Sequence, residues 1–249
     1  MENVQIIILA AGKSKRMESD EPKALALFKG RPLLQHILHT IESLHLSIKP
    51  VIVVGYKKEK IKEVFGHNFI YAEQNLQLGT GDAVKSAKDS VPKASKIILV
   101  ISADQPTISK ETIERIISKH LEKKSTLTLA TVLVPDFEEW RSALRHFGRI
   151  IREADGQVID IIEFKDATEK EKLIKEVNPA LYAFDSNWLW QNIDKLKNEN
   201  IQSEYYLTDL VKIAFEQKKK IEAVPVSNLI EGLQPNTKAE LGILEKFAI

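Results

Sequence analysis

The chain contains no cysteine, which excludes disulfides, thiolate metal ligands and a cysteine nucleophile. Long apolar runs are missing too. The first run, residues 4–9, is far too short for a membrane span or the core of a signal peptide, and no basic leader precedes it. A cytoplasmic protein is therefore expected. Net charge is almost absent, with 36 Lys+Arg against 35 Asp+Glu, so the overall balance favours neither a nucleic-acid nor a membrane partner. The six histidines show no H-x-x-x-H or H-E-x-x-H spacing. His36 and His39 lie one turn apart, but they flank a helix with the apolar stripe Leu33, Leu34, Ile37, Leu38, Ile41 and Leu44. Internal repeats, Pro-rich linkers and low-complexity segments are likewise missing.

What remains is an ordinary globular composition, 43% hydrophobic and 29% charged over 249 residues, enough for one large α/β domain or two small ones. Residues 4–9 read as a buried strand, 32–44 as a helix of period near 3.6, 50–55 as a strand and 58–65 as a short charged helix. Residues 69–71 continue as a strand, 81–89 as a helix and 97–101 as a buried strand. Ser109 caps a helix running to about Leu121. Apolar strands joined by helices predict a parallel sheet covered on both faces. From residue 127 the rhythm changes. Residues 127–134 are a strand, 148–153 and 158–163 flank the hairpin signal Asp155-Gly156, and 177–184 form a further strand. Helices over 187–197 and 207–217 and a strand over 221–226 complete the pattern. Lys218-Lys219-Lys220 reads as a solvated helix end.

Parallel α/β sheets bind ligands beyond the carboxyl ends of their strands, so the chemistry belongs to the segments after strands. After the first strand come Ala10-Ala11-Gly12-Lys13-Ser14-Lys15-Arg16-Met17 and then Pro22-Lys23. Small residues that bare backbone N–H groups, followed by cations, suit a phosphate. The segment is neither a Walker A loop nor a dinucleotide fingerprint, and alone it reads equally well as a β–α turn with exposed lysines. In residues 73–83, Gln74 can offer donor and acceptor to a base edge, and Gly79 and Gly81 flank Thr80 to allow close approach or positive φ. The plain alternative is a strand–turn–helix connection capped by Thr80. In Ser102-Ala103-Asp104-Gln105-Pro106, a lone carboxylate outside the sheet suits Mg²⁺, which takes few protein ligands, or is simply a solvated turn residue.

Taken in order, these segments resemble sugar-1-phosphate nucleotidylyltransferases. Phe147-Gly148-Arg149-Ile150, Glu163-x-Lys165-Asp166-Ala167-Thr168, Asn178 and Glu204-Tyr205-Tyr206-x-Thr208-Asp209 narrow the resemblance. They are similar to the uridyltransferase domain of the bacterial bifunctional N-acetylglucosamine-1-phosphate uridyltransferase/glucosamine-1-phosphate acetyltransferase family, colinearly across the whole chain. The resemblance implies a Rossmann-like, mostly parallel sheet with an antiparallel sugar-binding extension. It implies one nucleotidylyltransferase domain over 1–249, with a nucleotide lobe of about 1–125 plus a return over 205–249 and a sugar-side lobe of about 126–204. The implied reaction is Mg²⁺-dependent: UTP and N-acetylglucosamine 1-phosphate give UDP-N-acetylglucosamine, a cell-envelope precursor, and pyrophosphate.

By similarity, Leu9, Ala10, Ala11, Gly12, Gln74, Gly79 and Thr80 hold the nucleotide, and Arg16 and Lys23 grip the triphosphate as catalytic cations, with Lys13 and Lys15 in supporting roles. Asp104 and Asn236 bind Mg²⁺, with Asn228 as the alternative second ligand. Ala103, Gly148, Glu163 and Asn178 contact the sugar. Partners are then a nucleoside triphosphate and a sugar 1-phosphate, with no nucleic acid and no membrane. Four departures concern the sugar end: Ser102 and Ala103 before the metal aspartate, and Pro179 and Ala180 after the sugar-binding asparagine. They leave open another sugar 1-phosphate, or a different nucleotide. A non-catalytic nucleotide-sugar binder is the reading from another class. No hexapeptide repeat of the left-handed β-helix type is found, so acetyltransferase activity is not expected and a monomer is compatible.

Overall fold

The computed structural model describes residues 3–13 and 20–248. The predicted Arg16 and Lys15 lie outside the described residues. In chain order the elements begin with β1 (Val4–Leu9), the small hairpin β2 (Leu27–Phe28) and β3 (Arg31–Pro32), then α1 (Leu33–Glu42), β4 (Val51–Val54) and α2 (Lys58–Phe65). They continue as β5 (Ile70–Glu73), α3 (Thr80–Ser86), β6 (Ile97–Ser102), α4 (Lys110–Lys123) and β7 (Leu127–Leu133). The remainder is β8 (Arg149–Arg152), β9 (Val158–Ile162), β10 (Glu176–Val177), β11 (Tyr182–Asp185), α5 (Ser186–Asn192), α6 (Asp209–Glu216), β12 (Ile221–Pro225) and α7 (Lys238–Phe247).

One ten-stranded sheet runs β5-β4-β1-β6-β11-β7-β10-β8-β9, with β12 also paired to β7. The first four strands are parallel, with β1 between β4 and β6. Alternation of side chains sorts them to two faces. Ile6, Ile8, Leu99 and Ile101 pack with α1 and α4 residues such as Leu34, Ile37, Ile113 and Ile117. Ile7, Ile98 and Val100 pack on the other face with Trp188, Leu210 and Val211 of α5 and α6. Both faces are covered, which is why these strands read as continuous apolar runs. The antiparallel part starts inside the sheet rather than at its edge. β11 lies antiparallel between β6 and β7, and β12 pairs β7 in parallel.

Four expectations are corrected. The helix expected over 187–197 is α5 followed by a separate 3-10 turn, Ile193–Lys195. The strand expected over 177–184 is two strands, β10 and β11, both on β7. Pro179 removes a ladder donor and Ala180 takes φ +54°, so the chain turns out between them. The helix expected from 207 starts at Asp209, and the Leu207 N–H before it donates to Thr80 Oγ1 (3.0 Å). The helix expected over 81–89 is α3 followed by a separate 3-10 turn, Lys88–Ser90. Ser109 does cap α4, accepting from Thr112 N–H (3.1 Å). A C-terminal helix not predicted, α7, follows Thr237, whose hydroxyl accepts from Glu240 N–H. Among the described residues no helix is long and apolar enough to cross a membrane.

Candidate functional site

The expected site residues lie at and beyond the carboxyl ends of β1, β5 and β6, just before β8, just after β9 and β10, and, for Asn236, just before α7. Ala10 N–H donates to Val53 O (2.8 Å) and Ala103 N–H to Leu9 O (3.0 Å), which tie the first loop to β4 and to the segment after β6. Gly12 is exposed, and a Cβ there would meet nothing within 4 Å, so its backbone borders open space. Lys13 bridges to Pro22, closing the base of the loop, and its ammonium lies 4.8 Å from the centroid of the Tyr56 ring. On the far limb Asp20 accepts from Tyr56 OH (2.8 Å) and pairs with Lys57, while Glu21 pairs with Lys60. The β4–α2 corner thus anchors the return to Lys23. Gly55 lets that corner come close, since a Cβ there would lie 3.0 Å from the Ala11 Cβ.

Lys23, Asp104 and Asn236, far apart in sequence, meet here. The Lys23 ammonium pairs with Asp104 Oδ2 and donates to Asn236 Oδ1 (2.7 Å). Asp104 Oδ1 is buried with no hydrogen-bond partner among the described residues. Asn236 is held by its neighbours: its N–H donates to Glu240 Oε2 (2.6 Å) and its side-chain amide to Gln234 O (2.8 Å). Asn228, the alternative ligand, is used elsewhere, its side chain accepting from Ile230 N–H in the capping box of the 3-10 turn Leu229–Gly232. A carboxylate oxygen and an amide oxygen around one ammonium, with the second carboxylate oxygen unpartnered, form a donor set that suits a hard divalent cation. Among the described residues no cluster of three or more His, Asp or Glu could hold a metal by itself. Any such ion would complete its shell with water or phosphate.

The Gln74 amide donates to Gly79 O (3.0 Å) and to Asp82 Oδ2 (2.8 Å), which fixes the corner leading into α3. Gly79 has φ +114°, and a Cβ would strike the Tyr205 backbone at 2.7 and 2.8 Å. Gly81 N–H donates to Tyr205 O (2.8 Å), and Tyr205 N–H to Leu78 O (2.7 Å). The two glycines therefore admit another stretch of this chain, a role the sequence reading did not identify. Thr80 starts α3 without capping it and is exposed.

Gly148, Glu163 and Asn178 come together. Asn178 N–H donates to Gly148 O (2.9 Å), and a Cβ on Gly148 would lie 3.5 Å from both Glu163 carboxylate oxygens. Thr208 Oγ1 donates to Glu163 Oε1 (3.2 Å). Burial, reinforced by Asp166, Asp209 and Glu204, pushes the Glu163 carboxyl up to about 7. Burial and Asp160 similarly push Asp209 up to about 6. The buried Asn178 amide is engaged by Tyr182 OH, 2.6 Å from Nδ2 and 2.9 Å from Oδ1, and Ala180 N–H donates to the same Oδ1 (3.0 Å). Pro179 O accepts from both Gln105 and Gln234 side chains, each at 2.6 Å. Neither glutamine carried a recognisable signal, because each acts through one long-range contact.

Comparison with known proteins adds the lineage. The profile of the MobA-like NTP transferase domain matches residues 6–200. The chain is 36% identical over 241 residues to the bifunctional protein GlmU of Bacillus licheniformis, covering 97% of this chain and 51% of that protein. It is 38% identical over 248 residues to the bifunctional protein GlmU of Thermoanaerobacter pseudethanolicus, covering 99% and 52%. The chain thus spans about half the length of these curated relatives. In fold it is similar to a UDP-glucose pyrophosphorylase crystallised with UDP-glucose (TM-score 0.73, 16% identity, 90% of each chain). It is also similar to 4-diphosphocytidyl-2C-methyl-D-erythritol synthase from Anaerococcus prevotii (TM-score 0.66, 17% identity, 99% and 96% covered).

Proposed function

This chain belongs to the MobA-like NTP transferase domain family, and from that premise we propose that it transfers a uridylyl group from UTP to N-acetylglucosamine 1-phosphate. The single observation that carries this reading is the meeting of Lys23, Asp104 and Asn236 beside the first loop. The GlmU relatives support the choice of substrates. The nucleotide lobe is about 1–125 with 205–249, and the sugar side is about 126–204. A cytoplasmic site of action fits these substrates.

The acceptor is already largely dianionic at neutral pH, its second pKa being about 6, so no general base is needed. Its phosphate oxygen attacks the α-phosphorus of UTP in line. A new P–O bond forms, the α–β bridge breaks, and pyrophosphate leaves with the electron pair. The protein contributes positioning and charge neutralisation. Leu9, Ala10, Ala11, Gly12, Gln74, Gly79 and Thr80 hold the nucleotide. Lys23 exchanges its contact with Asp104 for the triphosphate, and Arg16 acts with it. Asp104 and Asn236 are the residues that would hold Mg²⁺, which when bound supplies positive charge to the reacting phosphates. Gly148, Glu163, Asn178 and Ala103 line the sugar subsite.

A second reading keeps the chemistry and changes the sugar 1-phosphate or the nucleotide. It is favoured by Pro179 and the left-handed Ala180, which reshape the wall beside Asn178. A pyrophosphate-release assay with UTP, Mg²⁺ and a panel of sugar 1-phosphates tests both. Fastest release with N-acetylglucosamine 1-phosphate supports the first reading, and another optimum supports the second. No release with any pair would make the protein a nucleotide-sugar binder.

A further inference from the structure

Arg149, the first residue of β8, is fully buried, yet among the described residues it has no acidic partner. Its guanidinium donates only to carbonyls: to Phe147 O, to Arg145 O (2.7 Å), and from two nitrogens to Lys172 O (3.2 and 3.3 Å). Its faces are covered by the rings of Phe137 and Phe164, with the guanidinium carbon 4.8 and 5.1 Å from their centroids. A buried, unpaired cation is an expensive way to fill space, and an apolar side chain would do that at lower cost. The planar fork does what an apolar chain cannot, which is to fix several carbonyls and two aromatic planes at once.

The groups it fixes are the neighbours of the sugar subsite. Phe147 immediately precedes Gly148, and Phe164 immediately follows Glu163. In register, Arg149 pairs with Ile162 on β9 and with Val177 on β10, one residue short of Glu163 and Asn178 respectively. The guanidinium reaches this subsite through the Phe147 carbonyl and the Phe164 ring that it holds.

We propose that Arg149 is a positioning residue that sets the spacing of Gly148 and Glu163, and thereby the affinity and selectivity for the sugar half of the substrate. This rests on the sugar-subsite reading given above. The test compares Arg149→Lys with the parent protein in KM for UTP and for N-acetylglucosamine 1-phosphate. Calorimetric Kd values for UDP and UDP-N-acetylglucosamine accompany it. Lysine keeps the charge but cannot span the carbonyls. The expected result is a rise on the order of 10- to 100-fold in KM for the sugar phosphate, as small misplacements of a subsite produce. KM for UTP and Kd for UDP should stay within about twofold, and UDP-N-acetylglucosamine should lose its advantage over UDP. An unchanged sugar KM, or equal losses for both substrates, overturns the proposal.

Phe137→Leu, which removes one stacked face and leaves the carbonyl contacts, covers the case in which Arg149→Lys does not fold. It should give the same one-sided shift, smaller in size, and an absent or two-sided effect again overturns the proposal. Glu163→Gln separates the two levels of inference. If it weakens sugar binding while the Arg149 and Phe137 variants do not, the positioning role fails alone. If all three leave sugar binding untouched, the subsite reading fails with it.

Discussion

At the residue scale, the most consequential side chain outside the Lys23–Asp104–Asn236 meeting is Glu163. Its carboxyl is held up at about 7, chiefly by burial, so between roughly pH 4.5 and 7 the folded protein binds a proton that the unfolded chain releases. Stability on its account falls as pH rises through that window and stays reduced above it, by an amount of up to about 3 kcal/mol. Glu163→Gln should therefore stabilise the protein relative to the parent at pH 8 and much less at pH 4.5, read as the difference in urea midpoints. A difference independent of pH would refute the assignment. Gly79 is the second such residue. Alanine there would carry a positive φ and a Cβ 2.7 Å from Tyr205 O, so Gly79→Ala should cost about 1–3 kcal/mol or more. It should also weaken UTP binding, since Gln74 donates to the Gly79 carbonyl. Unaltered stability would show that the segment carrying Tyr205 moves aside freely.

At the scale of elements, local chemistry was legible where it needed only neighbours. β1 and the charged helix α2 have the bounds expected of them, and Ser109 caps α4 as its position before a periodic run required. Ser109 does more than was foreseen, since its backbone N–H and hydroxyl both donate to the buried Glu231 (3.0 and 2.8 Å). Ser109→Ala should accordingly cost about 1–2 kcal/mol, in the upper part of the range for caps, measured by chemical denaturation. A loss near zero would mean that Glu231 finds another donor. One failure was contact-dependent. The 177–184 run has the composition of one strand, but Pro179 and Ala180 divide it where Gln105 and Gln234, from distant segments, converge on the Pro179 carbonyl. α7 was missed although Thr237-x-x-Glu240 is a helix-start pattern. That start matters to the site, because Glu240 holds the backbone of Asn236.

At the scale of the whole molecule, the parallel sheet was legible because strands buried on both faces leave unbroken apolar runs. The insertion of β11 between β6 and β7 was not, since pairing partners separated by some eighty residues leave no local trace. The same limit applies to the site. Asp104 and Lys23 could be singled out from their surroundings, whereas the Tyr205 backbone that fits against Gly79 and Gly81 could not. With β1 and β6 at the centre, amides of residues 6–8 and 98–100 should exchange with solvent hydrogen only through global unfolding, and those of β8 and β9 by smaller openings. Hydrogen-exchange mass spectrometry that found the order reversed would contradict this hierarchy.

The central claim is that Asp104, beside Lys23 and Asn236, serves Mg²⁺-dependent uridylyl transfer. Pyrophosphate release from UTP and N-acetylglucosamine 1-phosphate, measured across a Mg²⁺ titration for the parent protein and for Asp104→Ala, addresses it directly. The account predicts Mg²⁺-dependent release by the parent and its loss in a variant whose unfolding transition is retained. Undiminished release by Asp104→Ala, with the same Mg²⁺ dependence, would contradict it.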